Sequence, residues 1–168
     1  MKTHFSLPLC AALLSSLLPL TAARAQDAAP SSASASKLDF GNFSSSAITT
    51  KAWKAFEEKN FEEVAGYTGK CIEMFKVKAV EQQKALTAPE TEKAKVFANW
   101  ALNDVGTCYY LQGKALEEQG KKKEAVESYK FLAENLAFAQ CWDTKGWFWK
   151  PAGAAQERIK ALEFDTLQ

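Results

Sequence analysis

Histidine is almost missing from this sequence: His4 is the only one in 168 residues. It falls within 1–25, where Lys2, the apolar run FSLPLCAALLSSLLPLTA and the triplet Ala23-Arg24-Ala25 read as a secretory signal peptide. Cleavage after Ala25 would leave 26–168 without histidine. Such a chain cannot build Ser-His-Asp or Cys-His catalysis and lacks the commonest metal ligand. A long apolar run is also missing. Ser15, Ser16 and Pro19 interrupt the N-terminal stretch, which falls short of the ~20 apolar residues a spanning helix needs, so no stable membrane span is expected after cleavage. Charge of one sign is missing too. The 21 Lys and Arg include Lys2 and Arg24, against 20 Asp and Glu, so the remainder carries a net charge near −1. That gives no electrostatic case for nucleic acid or an anionic membrane. Cysteine is sparse, and Cys71, Cys108 and Cys141 are too far apart in sequence for a C-x-x-C zinc knuckle. In the oxidising compartment that export implies, one disulfide with a thiol left over and three buried apolar thiols both fit. No catalytic residue, metal or cofactor is expected, and the location is periplasmic or secreted.

What is present is helical pattern. Residues 26–45 begin as an Ala/Ser/Pro-rich linker, QDAAPSSASASK, followed by Leu38, Phe40 and Phe43, a cluster expected to tuck onto the folded part, 46–168. Ser46 is the expected N-cap of a helix to about Lys59 with Ile48, Ala52 and Ala55 inward. Asn60 turns the chain into a longer helix over 61–86, whose inner stripe is Phe61, Val64, Thr68, Cys71, Ile72 and Phe75. Gly66 and Gly69 weaken it by about 1 kcal/mol each relative to Ala, with close packing against the first helix as the expected gain. Pro89 and Glu90 open a helix predicted over 91–119, with Val96, Phe97, Trp100, Ala101, Val105, Cys108, Tyr109 and Leu116 on its apolar side and Gly106 as the candidate bend. A return helix follows over 122–138. Residues 141–149 show no period, and Pro151 opens a last helix carrying Ala155, Ile159 and Leu162.

The stretch YYLQGKALEEQGKKKEAVESYKFL, 109–132, organises the chain. Apolar spacing runs to Leu116, breaks at Gly120 and resumes at Ala125, Tyr129 and Leu132, so two helices fold back on each other. Small residues at Gly113 and Ala125 let the backbones approach. This stretch resembles a tetratricopeptide repeat. A looser unit aligns with it at an offset of 61, placing KNFEEVAGY (59–67) on GKKKEAVES (120–128). The resemblance covers roughly 46–78 and 107–138. It implies an all-α fold of antiparallel helical hairpins, about five to six helices in all, with the Trp-rich tail as a C-terminal cap. It also implies a non-enzymatic protein-interaction module with a protein or peptide partner.

Carried over by position, the groove side of each first helix would show Trp53, Phe56 and Glu57, then Tyr110, Lys114 and Glu117. Aromatics beside charges suit a peptide groove, while Trp53 and Phe56 also suit packing beneath neighbouring segments. Trp142, Trp147 and Trp149 suit either a structural cap or a sugar-stacking platform, which gives the alternative of a carbohydrate-associated envelope protein. Acid pairs such as Glu57/Glu58 and Glu117/Glu118 fit solvated helix faces better than glycosidase carboxylates, which must face each other across a cleft. Self-association is the third reading.

Overall fold

The computed structural model describes residues 38–143 and 145–165. The expected signal segment and the linker over 26–37 lie outside the described residues. Three serines open the first helix, α1 (Ser45–Glu57), and divide the work. Ser44, rather than Ser46, is the cap: its backbone is extended and its hydroxyl accepts from the Ala47 N–H at 3.3 Å. Starting there turns Ile48, Ala52 and Ala55 fully inward, buries Ser45 and leaves Ser46 exposed. Leu38 and Phe40 pack against the core as expected, while Phe43 stays exposed beside Phe40.

Helix α2 (Phe61–Ala85) returns antiparallel, capped by the Asn60 side chain accepting from Glu63 N–H. Its glycines do not pack on α1. A methyl group at Gly66 would run into Leu38 of the N-terminal segment, and one at Gly69 would meet nothing. The turn into α2 and the turn from α4 (Trp100–Glu118) into α5 (Lys122–Asn135) are closed by the same pair of bonds. Lys59 N–H donates to Phe56 and Asn60 N–H to Ala55; at the other turn Gly120 N–H donates to Glu117 and Lys121 N–H to Leu116. Both closures need a left-handed residue, supplied by Lys59 (φ 56) and Gly120 (φ 75). The sequence offset of 61 therefore also aligns the two turns.

The helix expected over 91–119 is broken. Residues Lys93–Ala98 form a short α3, and Asn99 leaves the helical region before α4 begins. Asn103 holds the break, donating to the Val96 carbonyl at 2.7 Å and accepting from Gln140 N–H at 2.9 Å. The first-turn N–H of Leu102 is satisfied by Gln82 of α2 at 2.9 Å. A helix end is normally capped from its own chain segment; here tertiary amide contacts do it. The break turns Phe97 and Trp100 outward, so they are 48% and 43% exposed rather than on the apolar stripe.

Helix α4 is the axis of the fold, packing against α1, α2, α5 and α6 (Pro151–Asp165). Leu102, Val105, Cys108 and Leu111 are wholly buried along it, at about 1.5–3 kcal/mol for each large apolar side chain. Gly113 lies under the ring of the wholly buried Tyr129, which fills the α4–α5 seam. The aperiodic aromatic tail forms a hairpin, β1 (Cys141–Trp142) with β2 (Phe148–Trp149), pairing Cys141 with Trp149 and Trp142 with Phe148. Two residues per strand are too few to show a period, and aromatics are strong strand formers. The fold is all-α, with six helices and this one small sheet among the described residues. No described helix is long and apolar enough to cross a membrane.

Candidate functional site

Helices α1 and α4 lie side by side, and the hairpin forms a third wall over the cleft between them. At one end is a chamber of about 330 Å³. Ser46, Thr49 and Trp53 of α1 face Asn103, Asp104 and Thr107 of α4, and Phe97, Trp100 and Trp142 surround the opening. An adjoining trough of about 690 Å³ shares Trp53, Cys141 and Trp142 with the chamber. It adds Thr50 and Glu57 from α1, Tyr110 from α4, and Asp143, Trp147 and Trp149 from the hairpin.

The rings are braced by edge contacts. Trp149 sits 6.3 Å from Trp53 and 5.2 Å from Tyr110, centroid to centroid, and is half-buried between them. Trp142 leans on Phe148 at 4.9 Å and on Phe97 at 6.3 Å. Trp142 and Trp147 nevertheless remain 41% and 52% exposed. The hairpin thus anchors itself with one tryptophan and presents two.

Neither the chamber nor the trough is lined by a lysine, arginine or histidine. Three carboxylates are present: Asp104 in the chamber, Glu57 and Asp143 in the trough. Burial pushes the Asp104 carboxyl above the ordinary aspartate range, and the hydrogen bond donated by Ser45 offsets only part of that. Burial keeps the Cys108 and Cys141 thiols neutral at physiological pH. Burial pushes Cys141 up to about 12, against a contact with the Thr107 hydroxyl at 2.7 Å. Cys108 is raised by burial and by the neighbouring Cys71, and the Thr49 hydroxyl lies 3.4 Å from its sulfur. Among the described residues Cys71, Cys108 and Cys141 are free, with Cys71 and Cys108 wholly buried. Among the described residues no three His, Cys, Asp or Glu side chains are grouped to hold a metal ion.

No family model, no curated protein and no solved structure matches this chain. Of the positions singled out in the sequence, Trp53, Glu57 and Tyr110 line the trough together with Trp142, Trp147 and Trp149. What sequence offered as two separate surfaces is one. Phe56 lies elsewhere, packed on Phe61 at 6.3 Å. Lys114 reaches Glu118 at 4.0 Å, and Glu117 is taken up by Arg158 and by the Tyr129 hydroxyl at 3.0 Å. Burial raises the Glu117 carboxyl, but those two bonds and the charges of Lys114 and Arg158 leave it below its ordinary range.

Sequence reading missed Thr49, Phe97, Trp100 and Asp104. One signal was available for the last: Asp104 is the only charged residue between Trp100 and Leu111, a segment otherwise built of core residues.

Proposed function

We propose that this chain is a non-enzymatic binding module that takes an extended segment of a partner protein into the groove between α1, α4 and the hairpin. The observation that carries this reading is the shared aromatic lining, with Trp53 and Trp142 belonging to both chamber and trough. Rigid rings supply contact area at low entropic cost, which is why they dominate recognition surfaces. From Ser46 to Glu57 the α1 wall is about 16 Å long at ~1.5 Å per residue, enough for roughly five extended residues. The resemblance of the two helical hairpins to tetratricopeptide repeats agrees with this, since that family generally binds peptides. Export would place the partner in the periplasm or outside the cell.

Panning a phage-displayed random peptide library against the full chain tests the reading. Sequences enriched on the wild type should be lost on Trp53→Ala/Tyr110→Ala with far-UV circular dichroism unchanged. If that variant loses helicity, Trp142→Ala/Trp147→Ala, which alters exposed rings, gives the same comparison. Equal enrichment on the wild type and on a folded variant would overturn the proposal. A carbohydrate-associated role is the second reading, favoured by the exposed Trp142 and Trp147 on either side of Asp143. It expects oligosaccharides to quench tryptophan fluorescence, and no quenching across glucans and chitin fragments would eliminate it.

A further inference from the structure

Resting on the peptide-groove reading, we infer that the inner chamber is a cation pocket, which seats the ammonium or guanidinium of a basic side chain between aromatic rings and Asp104. Four observations converge on it. The chamber is ringed by Trp53, Phe97, Trp100 and Trp142, and aromatic faces attract cations most strongly where water is excluded. Among the described residues Asp104 is its only charged lining residue, and that carboxylate accepts one hydrogen bond, from Ser45, on one oxygen. Its other oxygen has no donor among the described residues. No basic side chain lines either compartment, and the flanking charges, Glu57 and Asp143, are of the same sign as Asp104.

A half-buried carboxylate with no counter-charge is unfavourable to the fold and is the kind of group that marks a site. An incoming cation supplies the missing partner. A metal ion does not fit, because one carboxylate is the only anionic ligand the chamber offers. An anion is repelled. One ring already takes an ammonium: Lys93 Nζ lies 3.8 Å from the Trp142 centroid and 5.7 Å from that of Phe97. Lys93 does not line the chamber and so leaves Asp104 without a partner.

The experiment is calorimetric titration of the full chain with acetylated, amidated pentapeptides that differ only at the central residue: Lys, Arg, norleucine or Glu. Lys or Arg should bind at least ten-fold more tightly than norleucine, and Glu more weakly. Asp104→Asn should abolish that preference by bringing Lys and Arg down to norleucine, because the amide keeps the shape and can still accept from Ser45 but carries no charge. Norleucine binding as tightly as Lys, or a Lys preference that survives Asp104→Asn, would overturn the cation pocket and leave the peptide groove standing. Failure of all four peptides to bind would overturn both. Should Asp104→Asn not fold, Lys93→Ala must leave the Lys preference as it is in the wild type; a stronger preference would place the cation site at the rings that Lys93 vacates and overturn the chamber.

Discussion

Asp104 titrates under conditions set by its neighbours. Ser45 on α1 donates to it, and the facing thiols of Cys108 and Cys141 are held neutral by burial. Its raised carboxyl means that the folded chain binds more protons than the unfolded chain between the ordinary aspartate pKa and the folded one. Stability contributed by this group therefore falls as pH rises through that window, and the penalty is complete above it. Asp104→Asn should accordingly melt higher than the wild type near pH 7, with the two curves converging below about pH 4. Calorimetric scans across that range check it. A wild type that melts higher at neutral pH would mean that the carboxylate has a stabilising partner in the fold. Gly113 is the other residue whose identity is dictated. A methyl group there meets the Tyr129 ring, which is wholly buried and cannot yield. Gly113→Ala should cost about 1–3 kcal/mol from overpacking, measured as a lowered urea midpoint.

Among the elements, the two hairpin turns make an internal comparison. Both end a helix with the same pair of bonds, but one puts lysine where the other puts glycine. A side chain in the left-handed region costs about 1–2 kcal/mol, of which glycine's extra freedom in the unfolded chain returns part. Lys59→Gly should therefore stabilise by about 0.5–1 kcal/mol, and Gly120→Ala should destabilise by about 1 kcal/mol. Chemical denaturation of both variants checks the pair. Opposite signs are required, because the strain is removed at one turn and introduced at the other. The hairpin of the C-terminal tail is an element of another kind. It is fastened by Trp149 against Trp53 and Tyr110 and by the tie from Gln140 to Asn103. Trp147, 52% exposed, contributes little to that fastening. Its replacement by Ala should change stability by less than about 0.5 kcal/mol while weakening peptide capture.

Across the whole molecule, α6 closes the bundle through a network that joins three helices. Arg158 donates to Glu117 of α4, with Nε at 3.1 Å, and Tyr129 of α5 donates to the same carboxylate at 3.0 Å. Arg158 is partly exposed and Glu117 much less so, at 37% and 14% of their side chains, so solvent screens the pair only on one side. Glu117→Gln should cost about 1–2 kcal/mol. Because the folded Glu117 carboxyl lies below its ordinary range, its contribution is present above the unfolded pKa and disappears as pH falls through the lowered folded value. The difference between the variant and wild type should therefore vanish in acid. Limited proteolysis should release the α6 end first in Glu117→Gln, since that helix loses its charged tie to α4.

The sequence by itself determined the all-α class with about six helices, the two turns at Asn60 and Gly120, and the inward stripes led by Ile48, Val64, Val105 and Tyr129. These follow from periodicity and turn chemistry, which are local. It also nominated Trp53, Glu57, Tyr110 and the tail tryptophans for a surface role. Only the tertiary structure decided that these belong to one groove, because the hairpin at 141–149 and the α1 face are brought together by α4 rather than by sequence neighbourhood. The break at Asn99 was likewise decided at long range. Gln82, Asn103 and Gln140 satisfy backbone groups there across distances that no helical spacing encodes. That break is what turns Phe97 and Trp100 outward and completes the chamber around Asp104. Glu117 went the other way, from a predicted groove residue to an interior tie, because its partner Arg158 lies 41 positions away.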